Sequence, residues 1–298
     1  MTSTISKYLS MVKFSHTIFA MPFALVGYTW ALTSTSAVFD WVLLVQVVAC
    51  MVLARNTAMG FNRWADRHID AENPRTASRE IPSGQISPRA ALTFVIVNAL
   101  LFVAVTATIN PLTLCLSPVA LLVVMGYSYC KRFTALAHIV LGLALGIAPV
   151  GAYIAVTGQF AAEPLVLSAL VLTWVGGFDI IYAMQDAEFD RARGLHSIPA
   201  RFSGWGALSI SIALHVVSLG AVVLFGLLCG FGLWYWIGAG LFGAVLVLEH
   251  LLVTPTQQKN IGIAFGTLNG IASLVFATFP SSCIITLSYF GNNIPSRF

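Results

Sequence analysis

Residues 41–70 read WVLLVQVVACMVLARNTAMGFNRWADRHID, and the fold follows from the first twenty of them. Between Trp41 and Gly60 the only charge is Arg55, and the apolar residues run on without the alternation of a half-buried strand. About 20 such residues in a helix cross the hydrocarbon of a bilayer. The charges then arrive together, from Arg63 to Asp70, where the apolar run ends. The segment therefore reads as a membrane span that passes directly into a charged helical extension.

Working outward, eight further apolar stretches of similar length appear, at about 17–33, 91–109, 111–129, 137–156, 164–184, 206–228, 231–252 and 262–288. The short connections carry turn residues: Thr33-Ser34-Thr35-Ser36, Asn110-Pro111, Thr157-Gly158-Gln159 and Gly230. Hydrophobic residues make up 58% of the 298 and charged residues 9%, against roughly 45–50% and about 25% in soluble proteins. A soluble surface cannot be covered with 15 basic and 11 acidic residues in a chain of this length, and a disordered chain does not carry 20 Phe and 7 Trp. The reading is an all-α, polytopic membrane protein with nine transmembrane helices.

The net charge of +4 is a topology signal. Fourteen of the fifteen Lys and Arg residues fall in the N-terminal segment, at the inner end of span 2 (Arg55), or in the loops after spans 2, 4, 6 and 8. The exception is Arg297 at the C-terminus, which an odd number of spans places on the other side. This bias predicts a multi-pass protein with its N-terminus in the cytoplasm. A cleavable signal peptide is the competing reading of residues 1–33; the length of the run and Pro22 favour a retained span. No basic cluster points to nucleic acid, and nothing marks an obligate protein partner. The five cysteines (Cys50, Cys115, Cys130, Cys229 and Cys283) lack CxxC or zinc-ligand spacing, so neither disulfide nor zinc is expected.

Seven of the eleven acids occupy two of those inward-facing stretches. Asn62-x-x-x-Asp66-x-x-x-Asp70 follows span 2, and Tyr182-x-x-x-Asp186-x-x-x-Asp190 follows span 6. In continuous helix, Arg55, Asn62, Asp66 and Asp70 fall within about an 80° sector, and Asp179, Tyr182, Asp186 and Asp190 form a similar strip. One such motif in a loop is most often a solvated helix face. Two that each begin inside an apolar span, on the same side, point instead to a cavity. Facing carboxylates repel unless cations lie between them, and an all-oxygen donor set suits magnesium, which completes its shell with water and phosphate. The motifs lie 120 residues apart, and each precedes an Ile-Pro pair (Ile81-Pro82, Ile198-Pro199). One domain over 1–298 with two pseudo-repeated halves, about 1–130 and 131–298, is therefore expected.

Arg55 to Gly84, RNTAMGFNRWADRHIDAENPRTASREIPSG, and Tyr182 to Gly204, YAMQDAEFDRARGLHSIPARFSG, resemble the UbiA family of membrane prenyltransferases. KFSHTIFAMPFAL from Lys13 and YSYCKRFT from Tyr127 add to the likeness, which covers nearly the whole chain. The resemblance implies nine helices around a central cavity capped by cytoplasmic loops. It also implies magnesium-dependent transfer of a prenyl group from an allylic diphosphate. On that basis Asn62, Asp66, Asp70, Asp186 and Asp190 match the metal and diphosphate motifs, and Lys131 matches a basic position near the diphosphate. Arg55 is placed to hold the acceptor's carboxylate or a diphosphate oxygen, and Arg193 to bind phosphate; Arg63, Arg67 and Arg132 fit equally as positive-inside anchors. Tyr182 or Asp179 would orient a phenol or take its ring proton. The histidines (His16, His68, His138, His196, His215 and His250) are dispersed without zinc spacing and read as structural.

The DRxxGLHSIPxRF-type stretch from Asp190 to Phe202 resembles the branch acting on 4-hydroxybenzoate in respiratory quinone biosynthesis, with polyprenyl diphosphate, an aromatic acid and the lipid bilayer as partners. That implies a bacterial inner membrane. A naphthoate-type acceptor on a menaquinone route is the alternative. A cation-coupled transporter is the reading from a different class; acids gathered at one face and nearly uncharged opposite loops weigh against it.

Overall fold

Turn chemistry sets where the apolar runs become helices. The Asp40 carboxylate accepts from the Val42 N–H at 2.8 Å and caps the helix that starts at Trp41. Ser87 and Asn110 cap the next two long helices, each followed by a proline at the first helical position, where a missing N–H costs nothing. Gly158, at φ +66°, closes another in the left-handed conformation that a side chain resists.

The computed structural model describes residues 4–13, 21–35, 37–256 and 258–291, the last eleven by backbone alone. All the elements among them are helical: α1 (Thr4–Met11), α2 (Met21–Ser34), α3 (Trp41–Ala65), α4 (Arg67–Glu72), α5 (Pro88–Ala107), α6 (Pro111–Cys130), α7 (Ala137–Thr157) and α8 (Ala162–Ala183). A 3₁₀ turn (Met184–Asp186) leads into α9 (Ala187–Ala192), α10 (Ile198–Arg201), α11 (Gly204–Leu228), α12 (Leu233–Leu252) and α13 (Ile261–Ile263). A π turn (Ala264–Leu268) then opens α14 (Asn269–Gly291).

Eight of these helical stretches are long and apolar enough to cross a membrane, and they coincide with eight of the nine expected spans. The first expected span begins on residues outside the described set, and its described part is α2, of 14 residues. His16, Arg297 and the side chain of Cys283 also lie outside the described residues.

The molecule is apolar on both sides of its helices. Leu100, Leu122, Val216, Leu227 and Leu251 are exposed, as a lipid-facing surface requires. Inside, Trp174, Phe23, Phe242, Phe276 and Tyr235 form an aromatic core among α2, α8, α12 and α14. Polar side chains tie the same helices: Trp174 Nε1 donates to Asn269 Oδ1, and Asn269 Nδ2 donates to Glu249 Oε1, both at 3.0 Å. In lipid, close approach of small residues replaces the hydrophobic drive between helices. Gly142 lies so near the Leu172 carbonyl that a Cβ would collide with backbone, and Ser168 Oγ bonds the Gly146 carbonyl at 2.5 Å. Gly142→Val is therefore expected to separate α7 from α8 and cost about 1–3 kcal/mol, checked by thermal unfolding in detergent.

Between α3, α5, α6, α7 and α8 lies a cavity of about 410 Å³, lined mostly by Val, Leu, Ile, Ala, Met and Phe. Its charged lining side chains are Arg55 on α3 and Asp179 on α8, with Tyr127 of α6 beside them in the lining.

Candidate active site

Both aspartate motifs sit where a spanning helix gives way to a short one. Continuous helix would have carried each strip to its end, and here the structure departs from the expectation. The backbone leaves helical geometry at Asp66 (φ −93°, ψ 7°) and again at Asp186 (φ −101°, ψ 0°), and a six-residue helix follows each. These bridge-region angles are sparsely populated and recur at functional sites. The second aspartate of each motif is nevertheless turned inward: Asp70 is 6% exposed and Asp190 3%. The two motifs thus share a local geometry as well as a spelling.

Each aspartate is held by a different base. Arg132 Nη2 donates to Asp66 Oδ1 at 3.1 Å, and Asn62 Nδ2 donates to Asp66 Oδ2 at 3.0 Å. Arg79 Nη1 donates to Asp70 Oδ1 at 2.7 Å. Arg75 grips Asp186 with two prongs, Nε to Oδ1 at 2.8 Å and Nη2 to Oδ2 at 2.5 Å, and Asn73 Nδ2 adds a third bond at 3.1 Å. Asp190 Oδ2 accepts from Ser197 Oγ at 2.8 Å and faces Lys131 Nζ at 3.8 Å. Lys131 and Arg132 are adjacent in sequence, yet one faces the second motif and the other the first. The loop after α4 closes over the second motif through Arg75, and at the rim Glu72, the last residue of α4, pairs with Arg193.

Burial pushes the Asp66 carboxyl above its usual value; the Arg132 hydrogen bond pulls against that, and neighbouring Asp70 pushes the same way as burial. A cation placed here would relieve both pressures. The residues fit one: the donors are all oxygen, and Asp70 Oδ2 is a buried oxygen with no hydrogen-bond partner. Among the described residues no three His, Cys, Asp or Glu side chains converge closely enough to hold an ion unaided. Such an ion would take water and phosphate oxygens for the rest of its shell.

The sequence strips also separate by depth. Arg55 lies roughly 16 Å along the helix from Asp66, and Asp179 about 10 Å from Asp186, at 1.5 Å per residue. Both line the cavity below the charged layer. Arg55 Nη2 donates to the Lys13 carbonyl at 3.3 Å, while its Nε is buried without a partner. Tyr182 stays in the charged layer: its hydroxyl accepts from Arg75 Nη1 at 3.0 Å, and its ring packs on Phe265 at 4.1 Å between centroids. Arg67 lies over the Trp64 ring, and Arg63 is buried against the Met11 carbonyl; neither touches an aspartate of the motifs. His138, assigned only a structural role from sequence, bonds Asp179. Arg75, Arg79 and Asn73 carried no assignment, although ENPRTASR stands beside the first motif, where its two arginines at four-residue spacing were the available signal.

Apolar helices of spanning length around a cavity that Arg55 and Asp179 line, with two aspartate motifs paired to bases where two of those helices end, are the features of a prenyltransferase of the all-helical membrane type. The chain belongs to the UbiA prenyltransferase family, whose model matches residues 20–280. It is 34% identical over 239 residues to a 4-hydroxybenzoate octaprenyltransferase of Aeromonas salmonicida (strain A449), covering 79% of this chain and 81% of that one. It is 30% identical over 264 residues to the enzyme of that name from Aliivibrio fischeri (strain MJ11), covering 86% and 89%. The apo structure of a UbiA homologue from Aeropyrum pernix K1 superposes with a TM-score of 0.76 at 32% identity, over 91% of this chain and 97% of that one. A UbiA homologue from Archaeoglobus fulgidus bound to GPP and Mg²⁺ shares the fold, with a TM-score of 0.72 at 20% identity over 94% and 100%. Family membership sets aside the transporter reading.

Proposed function

We propose that this protein transfers a polyprenyl group from its diphosphate to the ring of an aromatic acid, 4-hydroxybenzoate, with magnesium as the metal. The observation that carries the acceptor is Arg55: a half-buried arginine whose Nε is buried and unpartnered, in a mostly apolar cavity that Asp179 also lines. An aromatic carboxylate supplies the partner that this donor lacks. The names of the relatives at 30 and 34% identity support the same acceptor.

In this reading the diphosphate lies among Lys131, Arg132 and Arg75, which exchange carboxylate contacts for phosphate oxygens. Asp66, Asp70, Asp186 and Asp190, with Asn62 orienting Asp66, would hold magnesium, which when bound neutralises charge on the departing diphosphate. Arg193 at the rim and Tyr182 beside Arg75 complete the layer. The apolar walls hold the isoprenoid and keep water from the electrophilic carbon. Arg55 fixes the acid so that its ring faces that carbon, and Asp179, the carboxylate lining the cavity, takes the ring proton.

The test is the purified protein with magnesium, a prenyl diphosphate and a panel of hydroxybenzoic and hydroxynaphthoic acids, read by mass spectrometry. Prenylated hydroxybenzoate is the expected product; a product from the naphthoate alone, or from neither acid, overturns the assignment. The proposed setting is a bacterial inner membrane with the charged layer and the N-terminus on the cytoplasmic side. In a cysteine-free background, Ser78→Cys, in the loop over the aspartates, is expected to react with an impermeant maleimide only from the inside. Gln159→Cys, in the α7–α8 connection, is expected to react only from the outside. Reaction of both from one side contradicts the nine-span arrangement.

A further inference from the structure

Asp179 is a carboxylate facing an apolar cavity, and the structure shows what holds it. The partner is His138 at the start of α7, whose Nδ1 lies 2.6 Å from Asp179 Oδ2. His138 is fully buried. Its other nitrogen, Nε2, meets the backbone N–H of Ile198 at 3.4 Å. A backbone N–H only donates, so Nε2 accepts; the ring proton of a neutral imidazole then sits on Nδ1 and points at Asp179. The tautomer is thus assigned by its neighbours. The segment that supplies Ile198 is itself anchored in the charged layer. His196 N–H donates to the Lys131 carbonyl at 2.6 Å, and Ser197 Oγ donates to Asp190 at 2.8 Å. Three successive residues therefore connect the base near the diphosphate, the second aspartate motif and, through His138, the carboxylate at the acceptor.

We infer that His138 is the positioning residue for Asp179: it occupies one carboxylate oxygen and aims the other at the acceptor's ring proton. This rests on the prenyl-transfer reading and deepens it. As the C1–O bond of the allylic diphosphate breaks, its electron pair leaves with the diphosphate. A ring π pair forms the new bond to C1. The proton on the substituted ring carbon then passes to Asp179 Oδ1, and the C–H pair restores the aromatic ring. His138 stays a neutral donor throughout and exchanges no proton. Its work is orientation, as in other carboxylate–imidazole pairs in which one member fixes the other.

A buried histidine that only fills space would leave the chemical step alone, so the test reads that step. His138→Leu removes the donor, whereas His138→Asn keeps an N–H group near the position of Nδ1. With ring-deuterated 4-hydroxybenzoate, His138→Leu is expected to lose about 10- to 100-fold in kcat, part of the roughly 10²–10⁴ that a general base contributes. A primary isotope effect absent from the wild type should appear, with an unchanged KM for the prenyl diphosphate. His138→Asn should recover most of the rate and suppress the isotope effect. Equal rates and no isotope effect in the two variants would overturn the inference. If His138→Leu does not fold, His138→Met takes its place: a rate loss with an isotope effect supports the role of the donor, and a near-native rate without one refutes it. A wild type that prenylates no acid overturns the functional reading itself, and the role of His138 with it; a working wild type with indifferent variants overturns only the role of His138.

Discussion

Asp66→Asn and Asp186→Asn are each expected to lower kcat by about 10²–10³-fold, or roughly 3–4 kcal/mol of transition-state stabilisation, while the protein stays folded. The reason lies in the charge that these groups organise. Asp186 alone fixes both prongs of Arg75 and the amide of Asn73, and Asp66 fixes Arg132 and Asn62. Asparagine keeps the shape and one oxygen at each site but removes the charge that, on the proposed reading, would hold a divalent cation against a diphosphate. Both effects fall on the step in which charge develops on the leaving oxygen. Exposed carboxylates on a solvated helix face would behave differently, changing stability by at most about 0.5 kcal/mol and activity little. Steady-state rates at saturating magnesium, with melting temperatures alongside, separate the cases. Near-normal turnover in both variants would remove the aspartates from the site.

Arg55→Ala is expected to raise the apparent KM for the aromatic acid by roughly 10- to 150-fold, the equivalent of about 1.5–3 kcal/mol for a charge-assisted hydrogen bond. The KM for the prenyl diphosphate should hardly move. Arg55 stands about three turns along α3 from Asp66, too far to share a cation held by the aspartates. Its Nε is already buried without a protein partner, so the bound acid adds a contact without breaking one. Arg55→Lys should recover little, because an ammonium offers no planar two-pronged contact. The reverse pattern, weakened diphosphate use with unchanged acceptor dependence, would move Arg55 into the charged layer.

Asp66 and Asp186 were legible because their signal is local. Four-residue spacing, a start inside an apolar run and a basic flank on one side all survive in a linear reading. The same logic placed Arg55 and Asp179 deeper than the aspartates, since depth along a helix is rise per residue multiplied by sequence distance. It failed at Asp66 and Asp186 themselves. Helical periodicity carries no sign of a break that two short backbone excursions create, and it predicts a continuous strip through both. It also left Tyr182 and Asp179 as equals. They are three residues apart on one face, and only the arrival of Arg75 from the loop after α4 holds the first in the charged layer.

The sequence by itself determined the membrane, the helical class, the spans and the acids at one end. Each of these depends on the hydropathy or spacing of neighbours in the chain. Only the tertiary structure decided which base holds which acid: Arg75 with Asp186 across 111 residues, Arg132 with Asp66 across 66, His138 with Asp179 across 41. Those pairs depend on how α3, α6, α7 and α8 are rotated about their own axes and on where the loops close above them. In lipid that rotation is set by close-packed small residues such as Gly142 against Leu172, and hydropathy carries no record of it.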